Sequence, residues 1–183
     1  LVQTGDGGYA LGGYTDSPVP SNYDFWLVRL TPKTIYIHAD GSVDPPSAPI
    51  YRNENLYTLA DNIYVSAPNG IVIEKDGITL DGAGYKLEGP GGGSSTGIVL
   101  QGRSYVTIKN LKINLFGYGI YLRANSISNI ILGNNMANSG VDTWLSSSSY
   151  NTITENTMTG SWNQSIILSS SSSNNVIRAN KIE

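Results

Sequence analysis

From residue 106 onward one eight-residue pattern of apolar and polar positions recurs four times. The copies are VTIKNLKI (Val106–Ile113), NIILGNNM (Asn129–Met136), NTITENTM (Asn151–Met158) and NVIRANKI (Asn175–Ile182). Their starts lie 23, 22 and 24 residues apart. The third position is always isoleucine (Ile108, Ile131, Ile153, Ile177), and the eighth is Ile or Met (Ile113, Met136, Met158, Ile182). The sixth is asparagine in the last three copies (Asn134, Asn156, Asn180). No stripe of period 3.6 runs through these positions, so helix is disfavoured. Short β-branched runs bounded by Gly, Ser and Asn read instead as strands joined by tight turns. A further short strand precedes each copy: GIVL (Gly97–Leu100), GIYL (Gly119–Leu122), VDTWL (Val141–Leu145) and SIIL (Ser165–Leu168).

A period in the low twenties built from strands predicts a solenoid, in which each coil winds two or three strands around an apolar centre. Ile108, Ile131, Ile153 and Ile177 then stack along the axis at the strand spacing of about 4.8 Å. One coil buries too little to stand alone, so neighbouring coils must share a core. Asn134, Asn156 and Asn180 read as an internal ladder of amides, each bonding its counterparts above and below. The competing reading is a ligand-binding row.

The same grammar extends upstream in Gly70–Ile73 (GIVI) and Ile78–Leu87 (ITLDGAGYKL). The GPGGGSST stretch at Gly89–Thr96 is expected to bulge from the stack. Residues 34–69 read as strands capping the first coil rather than as a coil. The expected organisation is therefore an N-terminal arm (1–32), a β-rich cap (33–69) and an all-β parallel β-helix of about five coils, each ~22–27 residues (70–183).

Composition narrows the function classes. Charged residues are 14% of the 183-residue chain and the net charge is -3, which gives no electrostatic reason to expect nucleic acid. With no cysteine, disulfides and thiolate metal sites are excluded. No apolar run approaches the ~20 residues of a membrane-spanning helix. The start at Leu1-Val2-Gln3 does not read as a signal peptide and suggests a processed product or the middle of a longer chain.

The stretch TIYIHADGSVDPPSAPI…YTLADNIY…GITLDGAGYKLEG…GIVL…VTIKNLKI…GIYL…NIILGNNM resembles NosD-type parallel β-helix proteins, over about residues 33–183. The resemblance implies a right-handed coil and a repeat-bearing surface or secreted protein of a kind common in archaea. It is specific for fold and far less so for function, since such coils also serve in polysaccharide enzymes and copper-site maturation factors. Residues 5–30, GDGGYALGGYTDSPVPSNYDFWLVRL, are similar to one unit of a propeller-type repeat. A single unit cannot close a propeller. Tyr9, Leu11, Phe25, Trp26 and Leu27 must therefore find another surface, on the β-helix or on a neighbouring subunit.

Catalytic and metal constellations are absent from the pattern. Polygalacturonase-like enzymes need clustered aspartates and a histidine for acid–base work, whereas Asp76 and Asp81 each precede glycine and read as turns. Lyase chemistry needs calcium-binding acids beside a base, and Arg103, Lys109, Lys112 and Arg123 lack an acidic companion row from residue 97 onward. His38 is the only histidine, and Met136 and Met158 are expected to fill the core, so the copper role suggested by the resemblance lacks ligands. No catalytic residue, metal ligand or cofactor is assigned. Tyr118, Tyr121, Trp144 and Trp162 form either a sugar-binding face or turn packing. The serine runs Ser146–Ser149 and Ser169–Ser173 follow the coil period and read as corners. Asn163-Gln164-Ser165 is the one N-glycosylation sequon.

These features point to a non-catalytic extracellular or cell-surface structural protein. It is expected to self-associate into a filament, sheath or layer through the arm (Tyr9, Leu11, Phe25, Trp26, Leu27) or through the coil end at Ile182. The alternatives are a carbohydrate-binding or adhesive module recognising surface glycans, and a polysaccharide lyase or hydrolase.

Overall fold

A computed structural model describes residues 33–183 in full, together with the backbone of Val2–Gln3, Tyr9–Thr15 and Asp24–Leu30. Those three strands form an antiparallel sheet with Tyr9–Thr15 in the middle. The side chains of Tyr9, Leu11, Phe25, Trp26 and Leu27 lie outside the described residues.

The remainder is a right-handed parallel β-helix with three faces. The first face stacks Leu56–Leu59, Thr79–Asp81, Thr107–Lys109, Ile130–Leu132, Thr152–Thr154 and Val176–Arg178. The second stacks Ile63–Tyr64, Lys86–Glu88, Lys112–Asn114, Asn135–Ala137, Thr157–Thr159 and Lys181–Ile182. The third stacks Ile35–Ile37, Asn69–Ile73, Thr96–Gln101, Tyr118–Arg123, Val141–Ser146 and Gln164–Ser169. Because every pair is parallel and in register, like residues fall on one another. Leu80, Ile108, Ile131, Ile153 and Ile177 make one interior row, headed by Tyr57. Leu87, Ile113, Met136, Met158 and Ile182 make the second. Ile37, Ile73, Leu100, Leu122, Leu145 and Leu168 make a third.

The corner between the first two faces turns on one residue held in the left-handed region: Asn110, Gly133, Glu155 and Ala179, with φ of 54°, 62°, 59° and 53°. Each occupies the fifth position of its eight-residue copy. Such a residue costs a non-glycine ~1–2 kcal/mol, so the corner must be held from outside the local chain. The asparagine that follows it in three copies does this.

One segment differs from the sequence-based expectation. Residues 33–69 were expected to cap the stack without coiling, yet Ile35–Ile37, Leu56–Leu59 and Ile63–Tyr64 continue the three faces in parallel register. Closure comes from Val43–Asp44 and Ile50–Asn53, which fold back antiparallel. The prolines and polar residues mask the coil because only alternate residues face inward. The glycine-rich stretch bulges as expected, though it stays within a continuous strand. Lys86–Gln101 has register shifts on both sides of Gly92, which pairs with Phe116, and Pro90, Gly91, Gly93 and Ser94 are exposed. Glycines beside it on the third face permit the close approach of backbones. A Cβ on Gly97 would lie 2.5 Å from the carbonyl oxygen of Gly119, and one on Gly70 equally close to that of Gly97.

The stack makes a sharp prediction about position. Ile131 is fully buried between Ile108 and Ile153, whereas Ile177, at the same register on the last coil, is 44% exposed. Ile131→Ala should cost ~2–5 kcal/mol, and Ile177→Ala well under half as much, by urea unfolding of the two variants. Equal losses would contradict the stacking.

Candidate functional site

The residues that could carry chemistry fall into four groups, and the largest is a pair of amide columns. In one, the Asn134 N–H and Nδ2 both donate to Asn156 Oδ1, at 2.9 and 3.0 Å. The Asn156 N–H and Nδ2 do the same to Asn180 Oδ1, both at 3.0 Å. The remaining Nδ2 hydrogens reach carbonyls of the coil above, Asn134 to Ile108, Asn156 to Ile131 and Asn180 to Ile153. At the top, Asn134 Oδ1 accepts from the Leu111 N–H at 3.1 Å. Asn134 and Asn156 are each 1% exposed. These carboxamides face other amides and backbone, leaving no accessible edge for a ligand.

A second column, which the sequence reading missed, runs through Asn129, Asn151 and Asn175. The Asn129 N–H and Nδ2 donate to Asn151 Oδ1 at 2.9 and 3.0 Å, and the Asn151 N–H donates to Asn175 Oδ1 at 2.8 Å. Its signal was present: these are the first residues of the last three copies. Serines form a further axial set. The Ser148 N–H donates to Ser172 Oγ at 3.0 Å, and the Ser173 N–H to Ser149 Oγ at 3.0 Å. The two asparagine columns satisfy backbone groups that would otherwise be buried without partners.

The second group surrounds Asp142, a carboxyl of the VDTWL strand that the sequence analysis does not single out. It stands in the column of Gly70, Gly97 and Gly119, whose neighbours leave no space for a side chain. The residue is wholly buried. Ser161 Oγ donates to its Oδ2, Ser165 Oγ lies 3.2 Å from Ser161 Oγ, and Oδ1 has no partner. Burial away from water pushes this carboxyl up to about 6, with the Ser161 hydroxyl working the other way. The Gly160–Gln164 turn lies over this corner, pinned by the Trp162 N–H to Ser139 O and by the Asn163 and Gln164 N–H groups to Gly140 O. Asn163, the sequon residue, is exposed on that turn.

The third group is aromatic. Tyr121 and Trp144 stack with centroids 4.7 Å apart and planes at 18°, and Tyr118 lies 5.1 Å from Trp144. The Arg123 guanidinium sits 5.6 Å from the Tyr121 centroid. The Tyr121 face is therefore occupied by protein, which suits packing better than sugar stacking. Trp162 stands apart, 59% exposed.

The fourth group is ionic. His38 Nδ1 lies 2.8 Å from Glu74 Oε2, and the imidazole stacks on Tyr36. The hydrogen bond to Glu74 raises the His38 pKa above its ordinary value, against a smaller opposing effect of burial. Lys109 pairs with Asp81 at 3.1 Å and Arg103 lies 3.6 Å from Asp76. These two bases thus have acidic companions after all, one coil upstream, where a count of acids from residue 97 onward did not reach. Asp81 also accepts from the Ala83 N–H, as a turn residue does.

The copper chemistry implied by the NosD resemblance finds no donor set among the described residues. His38 is committed to Glu74 on one nitrogen, and the Met136 and Met158 side chains are 0% exposed inside the second interior row. Among the described residues no three His, Cys, Asp or Glu side chains converge. Copper sites draw on clustered imidazole and thioether or thiolate donors, which this arrangement does not offer.

Asp142 makes the corner pH-sensitive. An aspartate titrates near 3.9 in an unfolded chain and near 6 in this fold, so the folded state binds its proton more tightly. Its stabilising contribution is full below about pH 4 and declines as the pH rises through about 6. The wild-type denaturation midpoint should fall between pH 4 and pH 7, and Asp142→Asn should remove most of that fall. Parallel declines in both proteins would contradict the assignment.

No curated protein and no solved structure matches the chain. A family model described as "Periplasmic copper-binding protein (NosD)" matches residues 31–183, and on that extent, together with the β-helix built by the same residues, the chain belongs to the NosD family.

Proposed function

We propose that this is a non-catalytic structural module of the cell envelope which self-associates through β pairing into a filament, sheath or layer. The observation that carries the reading is the pair of sheet edges that the fold presents. Ile50–Asn53 lies at the edge of the sheet that forms the first face, and Asp24–Leu30 at the edge of the N-terminal sheet, so both offer backbone for pairing. A contact between such an edge and a different surface of the next subunit is heterologous and propagates. The family's periplasmic description supports an envelope location.

A glycan-binding module draws less support, because the Tyr121 and Trp144 rings cover each other. A polysaccharide lyase or hydrolase draws less still, since Asp76 and Asp81 are engaged in turns and ion pairs with the protein itself.

Electron microscopy of the full gene product, isolated without denaturation, tests the assembly. Regular fibres are expected, reduced to discrete particles by Tyr51→Pro, which blocks the exposed edge strand Ile50–Asn53. Discrete particles from the unaltered protein would overturn the proposal.

A further inference from the structure

The three faces differ on their outer sides. On the first two, most strands, such as TLD, TIK and TMT, set one inward apolar residue between polar neighbours. The outward apolar residues of the first face, Leu56, Ile130 and Val176, are separated along the stack by threonines and are 39–47% exposed. The third reads GIVI, GIVL, GIYL and SIIL, apolar almost throughout. Unbroken apolar runs belong to strands covered on both sides. The register aligns the outward residues of this face into one row: Tyr36, Val72, Val99, Tyr121, Trp144 and Ile167. Val99 stands outside the interior cluster, yet it is only 4% exposed. Part of the row is thus already withdrawn from water.

We propose that this outer row is the docking surface for the chain's own N-terminal strands, Tyr9–Thr15 and Asp24–Leu30. The tether is short and lands in the right place. Leu30 is followed within five residues by Ile35, which opens the top strand of this same face, and Tyr36 heads the row. The lengths match, since six coils at ~4.8 Å spacing span about 24 Å and a seven-residue strand about 23 Å. The chemistry matches as well. The hairpin register pairs Tyr9 with Leu30, Leu11 with Val28 and Gly13 with Trp26. Directly paired positions of a ladder are neighbours, and these pairs bring apolar residue types together in the sequence. A small antiparallel sheet gains independent stability only when an apolar face is covered. The hairpin strands would cross the coil strands at a steep angle, as in orthogonal sheet packing. Docking of this kind belongs to a single molecule and stands whether or not the protein polymerises, leaving the Asp24–Leu30 edge free.

Hydrogen exchange by mass spectrometry on the full chain tests it. Amides of Tyr9–Thr15 and Asp24–Leu30 should be protected in the unaltered protein. In Tyr121→Ser/Trp144→Ser they should exchange at least tenfold faster, with Ile130–Leu132 unchanged. Should that double variant also loosen Ile130–Leu132, Val72→Ser at the row's upper end gives the same reading with less disturbance. Unchanged exchange in the hairpin would overturn the proposal. A chemical cross-linker applied to a mixture of isotopically light and heavy copies settles the source of the hairpin. Arm-to-row links within one copy are expected, and links found only between copies would assign the row to a neighbour's arm.

Discussion

The whole molecule depends on in-register parallel pairing. Once coil lies on coil at the strand spacing, every residue that points inward meets its own counterpart above and below. An apolar position must then stay apolar throughout, and a polar one must be able to bond to a copy of itself. Ile and Leu meet the first condition, as in the row from Leu80 to Ile177. Asparagine meets the second unusually well, because its oxygen accepts two hydrogen bonds while its nitrogen donates two. In the column through Asn134, Asn156 and Asn180, the Asn156 oxygen accepts two hydrogen bonds from the coil above and its nitrogen donates to the coils above and below.

The asparagine columns also explain how the corners survive. Each copy turns on a left-handed residue that is Asn, Gly, Glu or Ala, so the conformation is imposed by the stack rather than chosen locally. Asn134, Asn156 and Asn180, next in sequence, pin the corner to the coil above. What resembles a row of ligand-binding amides is therefore framework. The departures from repetition are more informative than the repeats. Asp142 enters a column of glycines with its Oδ1 unpartnered, and it couples one corner to pH. The outer side of the third face carries a continuous apolar row where the other two are mainly polar, and it asks for a cover.

Much of this was legible in the chain. The eight-residue pattern is sufficient for the solenoid because period and residue type agree, and the interior rows follow directly from it. The second asparagine column was equally visible in Asn129, Asn151 and Asn175, but it lies where a strand begins and was taken for turn composition. Residues 33–69 hid their coil because prolines and two antiparallel returns interrupt it. The Gly89–Thr96 stretch bulges as its composition suggests, with Gly92 pairing back to the neighbouring coil. Asp142 could not have been singled out from sequence, since nothing local marks its burial; only the register that sets it beneath Gly119 does. The outer row was written openly in GIVI, GIVL and SIIL, and both sides of those strands had to be placed before it could be read.

The central claim is that the buried amides hold the coils together instead of facing a ligand. Native-state hydrogen exchange of the asparagine side chains, followed by NMR, tests it most directly. The carboxamide protons of Asn134 and Asn156 should exchange as slowly as the backbone amides of Ile131 and Ile153, since both are released only when coils separate. Exchange at the rate of a free asparagine side chain, with the neighbouring backbone still protected, would contradict the account.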